Sequence, residues 1–118
     1  VLVEARRERL TAITDPIIMR RMIQSFRNAG TEDIFDGIAS GVARRCCSQT
    51  IWAVARRKLD QINRVRDVAE LKVPPGNHLE RLKGNRVGQH SIRINEQYRI
   101  CFVWKDGNAY QVEITDYH

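Results

Sequence analysis

Long apolar runs are missing from this chain. None approaches the roughly 20 residues that a bilayer-spanning helix needs, and Glu4, Arg6, Arg7, Glu8 and Arg9 interrupt any secretory hydrophobic segment near the start. The expectation is a cytoplasmic protein with no membrane contact. Cysteine is scarce: Cys46 and Cys47 are adjacent and Cys101 stands apart. That arrangement excludes a disulfide framework and the spaced pairs of a zinc knuckle. The histidines, His78, His90 and His118, follow no metal-ligand spacing, so no metal and no cofactor is expected. Repeats and low-complexity tracts are also missing. Proline is confined to Pro16 and the Pro74-Pro75 pair, so forced breaks in the chain are few.

What is present fits one domain. The 118 residues are 42% hydrophobic and 29% charged, with a formal net charge of +6. That length supports a single modest core. The basic balance favours a polyanionic partner, nucleic acid above all, through neutralised phosphates.

The clearest pattern lies at the C-terminal end. Ser91 to Asn95, Tyr98 to Trp104 and Ala109 to Thr115 alternate with a period of two, the signature of a half-buried antiparallel meander. The alternation puts Ile92, Ile94, Ile100, Phe102, Trp104, Tyr110, Val112 and Ile114 on one face. Arg93, Arg99, Cys101, Val103, Gln111, Glu113 and Thr115 fall opposite. Asn95-Glu96-Gln97 closes the first turn, and Lys105-Asp106-Gly107-Asn108 the second, where Asp-Gly suits positive φ. Upstream, Met22 to Phe26 reads as a first strand. Thr31 is expected to cap a helix that carries Ile34, Phe35 and Ile38 and ends at Gly41. A main helix is expected from Ala43 to about Asn63, with Ile51, Ala55, Leu59 and Ile62 on its apolar stripe. Asp67 to Leu71 forms a helical turn, Pro74-Pro75-Gly76 stiffens the connection, and His78 to Lys83 pairs irregularly at the sheet edge. The fold class is α+β: an N-terminal strand and two helices on one face of a curved antiparallel sheet of about four to five strands.

The order Leu79, Leu82-Lys83-Gly84, Gly88, Ser91-Ile92-Arg93-Ile94-Asn95, Tyr98-Arg99-Ile100, Phe102 and the terminal Asp116-Tyr117-His118 resembles the HigB-type killer toxins of the RelE/ParE superfamily. The resemblance runs from about Met22 to His118. It suggests a toxin domain over residues 22–118, preceded by a leader, residues 1–21, that is an upstream-start artefact or a disordered basic arm.

The resemblance implies the toxin of a type II toxin-antitoxin system: a ribosome-dependent endoribonuclease that cuts mRNA in the A site of the small ribosomal subunit. Cleavage of that kind uses the RNA's own 2′-OH as nucleophile and needs a base, an acid and cations for the developing phosphorane charge. The match carries catalytic roles to His118, Tyr117 and Asp116. Relatives place a further histidine where this chain has Glu80, with His78 two residues earlier, so the base is Glu80, His78 or neither. Arg99, Arg93, Lys83 and Arg86 are the expected RNA contacts, Arg99 facing the phosphorane. Arg44, Arg45, Arg56, Arg57 and Lys58 read equally as ribosomal RNA contacts or as a solvated helix face. The implied partners are a cognate helix-turn-helix antitoxin (HigA-like), the ribosome with its mRNA, and operator DNA through the antitoxin complex alone. Two alternatives remain: a ParE-like inhibitor of DNA gyrase, which shares the fold and needs no acid–base cluster, and a non-catalytic ribosome- or RNA-binding growth inhibitor.

Overall fold

The computed structural model describes residues 22–116; the expected leader 1–21 and the terminal pair Tyr117-His118 lie outside the described residues. Among the described residues three helices, α1 (Ala29–Asp36), α2 (Gly41–Cys46) and α3 (Trp52–Arg64), precede four strands, β1 (Glu80–Arg81), β2 (Gln89–Arg93), β3 (Tyr98–Lys105) and β4 (Asn108–Asp116). The strands form one antiparallel sheet in sequence order. The α+β architecture and the helices on one sheet face are as the sequence predicts.

Helix α3 buries Trp52, Ala55, Leu59 and Ile62, spaced three and four apart as one helical stripe requires. They join Ile92, Ile100, Phe102, Val112 and Ile114 in a single core cluster. Complete burial of a side chain such as Leu59 stabilises the fold by about 1.5–3 kcal/mol. The second hairpin is as expected. Lys105 pairs with Asn108, and Asp106 and Gly107 take φ of 52° and 77°, the positive pair that suits a tight two-residue turn.

Five local expectations differ from the structure. Asn28, not Thr31, caps α1: its side chain accepts the Thr31 backbone N–H at 2.8 Å. Thr31 is buried instead, and its hydroxyl accepts the Ile114 N–H at 3.0 Å. The helix stops at Gly37, whose φ of 76° is the left-handed stop glycine provides cheaply; Gly41 opens α2 beneath a Ser40 cap. The long helix expected over 43–63 is broken, because Ser48 caps a separate turn, Gln49–Ile51, that leads into α3. Ser and Thr there offer the backbone alternative hydrogen bonds that compete with helix continuation.

The fourth difference lies in β4. Cys101 pairs with Glu113 but Val103 pairs with Tyr110, so β4 carries an extra residue. Gln111 absorbs it at φ 52°. This bulge reverses the alternation, leaving Ala109 buried and Tyr110 on the face opposite the core. The expected first strand is reduced to two parallel bridges along β4, Ile23 with Ala109 and Phe26 with Val112.

Candidate nucleic-acid cleft

On the face away from the helices, strand pairing sets polar residues in rows. Glu80, Ser91, Cys101 and Glu113 are successive cross-strand partners. The next row holds Arg93, Arg99 and Thr115. Cross-strand partners share a face, so Glu80 lies diagonally from Arg99 across Ser91.

Arg99 is the centre of this surface. It is only 8% exposed. Its Nε donates to Ser91 Oγ at 2.8 Å, and an Nη donates to the carbonyl of His78. The same Nη lies 3.1 Å from Glu80 Oε1, in an ion pair whose carboxylate side chain is 53% exposed. A buried guanidinium requires such partners, since an uncompensated buried charge is strongly destabilising. Around it opens a cleft of about 550 Å³, lined by His78, Glu80, Arg93 and Arg99 together with Leu79, Asn95 and Glu96.

The His78 carbonyl is held in place from the opposite side. Its residue adopts φ 45°, just after the fully buried Asn77. Asn77 Nδ2 donates to the carbonyls of Leu71 (3.0 Å) and Val73 (3.3 Å) and to Gln61 Oε1 (3.0 Å). Its Oδ1 accepts from Lys58 Nζ. Burial, and then the charge of Arg57, hold the Lys58 ammonium below its ordinary pKa. Lys58 and Arg56 of α3, the latter donating to the Ile34 carbonyl at 3.1 Å, thus have structural partners.

The cleft brings together His78, Glu80, Arg93 and Arg99 from the expected set. Lys83 is exposed beyond β1 and does not line it. Arg86 lies further along the sheet, where Nη1 contacts Glu113 Oε1 at 2.9 Å and Gln89 Oε1 at 3.0 Å. Asp116 pairs with Tyr98 and so takes the helix-side parity, its carboxylate accepting from Gln97 Nε2 at 3.0 Å. Tyr117 and His118 lie outside the described residues. Sequence reasoning missed Ser91 and Asn77 as supports of the cleft. Ser91 had a signal, since it shares Arg93's parity; Asn77 had none.

His90 faces the other way. It stacks on Phe102 with ring centroids 6.0 Å apart, and its buried Nδ1 has no hydrogen-bond partner among the described residues. Burial first, and Arg81 second, keep its pKa below the usual histidine value.

A family model described as the RelE-like toxin of the type II toxin-antitoxin system HigB matches residues 24–118. Toxin HigB-1 of Vibrio cholerae serotype O1 is 47% identical over 53 residues, covering 45% of this chain and 56% of its own. The chain thus matches little more than half the length of that relative. Endoribonuclease HigB of Proteus vulgaris is 34% identical over 103 residues, covering 82% of this chain and 100% of its own. Among solved structures, the YoeB-YefM complex from Staphylococcus aureus matches with a TM-score of 0.46 at 14% identity, over 81% of this chain and 97% of that one. With the family model spanning most of its length and the Proteus enzyme matched from end to end, this chain belongs to the HigB family of RelE-like toxins of type II toxin-antitoxin systems.

Proposed function

We propose that the chain is a ribosome-dependent mRNA endoribonuclease that cuts without a metal. The observation that carries this reading is the buried Arg99 at the cleft, with Arg93 directly across the strand pair. Like charges set opposite one another are unfavourable in an empty sheet face, and a phosphodiester between them relieves that repulsion. Two guanidinium forks suit the phosphate oxygens and the added charge of the phosphorane.

In this reading the 2′-OH of the bound nucleotide loses its proton to a base, and the 2′-oxygen attacks phosphorus. The bond to the 5′-oxygen breaks and that oxygen takes a proton from an acid. The products are a 2′,3′-cyclic phosphate and a free 5′-OH. Glu80 is the base, being the carboxylate that pairs with Arg99 in the cleft; His118 is the acid, with Asp116 and Tyr117 beside it in sequence, and His78 contributes at the cleft wall. Residues 22–118 form the toxin domain, and residues 1–21 a leader. A helix-turn-helix antitoxin neutralises the toxin and takes it to operator DNA.

The test is 5′-end mapping of a reporter mRNA on translating ribosomes with wild type, Glu80→Gln and His118→Ala. Ribosome-dependent cuts with 5′-OH ends, weakened at least about a hundredfold in each variant, are expected. Growth arrest with intact mRNA refutes the nuclease reading, and double-strand DNA breaks in its place identify gyrase as the target.

A further inference from the structure

An anion-binding cleft is poorly served by a carboxylate resting on its central cation, yet Glu80 does this. The two members of the pair differ in freedom. Arg99 is almost wholly buried, and Ser91 and the His78 carbonyl fix its guanidinium independently of Glu80. Glu80 is more than half exposed and sits on a two-residue strand at the edge of the sheet. Moving it is feasible, because its end of the pair is in water while Ser91 and the His78 carbonyl remain on the buried guanidinium. The cation is fixed and the anion is free to leave.

Charge makes the same point. Arg93 and Arg99 are direct cross-strand partners, and Glu80 partly offsets their repulsion while no phosphate is present. A carboxylate oxygen and a phosphate oxygen meet the guanidinium in the same geometry. The Nη beside Glu80 carries two hydrogens and gives one to the His78 carbonyl, so one oxygen at a time takes the other.

We propose that Glu80 is a built-in stand-in for the RNA phosphate: it occupies Arg99 in the unliganded cleft and must be displaced before a phosphodiester can bind. This rests on the reading of the cleft as an RNA phosphate site and adds its regulation. Competition from within the chain lowers affinity for loose RNA in proportion to the occupancy of the closed state. RNA held in place by another body meets that competition at high local concentration and overcomes it. Displacement also frees the Glu80 carboxylate beside the phosphate, where the 2′-OH lies. One side chain therefore both restrains binding and becomes available as base.

The experiment measures the affinity of the full chain for a short, uncleavable 2′-O-methyl RNA by fluorescence anisotropy at fixed ionic strength. Wild type is compared with Glu80→Gln, Glu80→Ala and Asp106→Asn. The last makes the same net-charge change at the opposite end of β3. Both Glu80 variants are expected to bind about fivefold more tightly than Asp106→Asn, the gain anticipated from releasing one ion pair whose carboxylate end is exposed. Equal or weaker binding by both overturns the stand-in. If they bind no more tightly while wild type still cuts mRNA on ribosomes, the stand-in fails and the nuclease reading survives. Tighter binding with no ribosome-dependent cuts supports the stand-in and refutes the nuclease. No binding by any of the proteins overturns both.

Discussion

Replacing Asn77 by Ala should uncouple the cleft from α3. The side chain is fully buried; its Nδ2, with two hydrogens, is shared among three acceptors and its Oδ1 accepts one bond. A net hydrogen bond is worth about 1 kcal/mol, and a buried group left unpaired costs about 1–3 kcal/mol. The Lys58 and Gln61 ends are only part-buried, so water replaces much of what they lose. The Leu71 carbonyl is buried at its bond and does not recover its partner. The expected total is about 2–3 kcal/mol of unfolding free energy. With an m-value of about 1–2 kcal/mol/M, the urea midpoint falls by about 1–3 M. Gln61→Ala, losing its bond to Asn77 and one to the exposed Val73 carbonyl, should cost under about 1 kcal/mol. Urea titration followed by tryptophan fluorescence measures both. The second readout is RNA affinity: loosening the turn before His78 removes the carbonyl that aims Arg99, so Asn77→Ala should bind RNA more weakly under conditions where it is fully folded. An Asn77→Ala loss below about 0.5 kcal/mol, or unchanged RNA affinity with the expected destabilisation, refutes the coupling.

Three further outcomes follow from local features. His90 has a pKa held below its usual value by burial and by Arg81, so the unfolded chain binds a proton more readily. Stability is therefore full above the ordinary pKa near 6.5 and falls as pH drops through the folded value; thermal melts at pH 7.5 and 5.5 should show a smaller acid loss in His90→Gln. Cys46, half-buried beside Cys47 and 3.8 Å from the Thr31 hydroxyl, has its thiol pKa lowered to about 7, chiefly by the Cys47 hydrogen bond. Its iodoacetamide reaction should show a midpoint near that pH and move towards 9.0 in Cys47→Ala; a wild-type midpoint near 9 refutes the contact. Gln111→Gly should stabilise the fold by about 0.5–1 kcal/mol, since glycine adopts the left-handed conformation without the Cβ clash. In an unbulged strand the same change destabilises, so the sign measured by chemical denaturation decides.

The meander was legible because its signals are local. Period-two alternation, Asp-Gly at the hairpin and a run of apolar residues on one face each act within a few residues of one another. The bulge was not, because Gln111 carries no glycine or asparagine to announce positive φ; the Ser25 hydroxyl accepts its N–H at 2.9 Å from 86 positions away. The helix break at Cys46-Cys47-Ser48 was hidden by the apolar spacing that continues across it. Arg93 and Arg99 were readable as a shared face, and their pairing confirms that parity. The burial of Arg99 was not readable, since Ser91, His78 and Glu80 reach it from other segments. Tertiary contacts of this kind leave no periodic trace.

The bulge also acts on the chain's other end. Ala109 and Val112 are three positions apart, yet both are buried on the core face, a spacing that regular strand alternation forbids. Ile23 and Phe26, also three apart, bridge these two residues. Hydrogen bonds at 2.8 Å from the Gln24 N–H to the Ala109 carbonyl and at 3.0 Å from the Arg27 N–H to the Val112 carbonyl complete the match. A regular edge would accept the incoming segment in several sliding registers. Here the mismatched step works like a notch in a key, and only one alignment seats both apolar side chains.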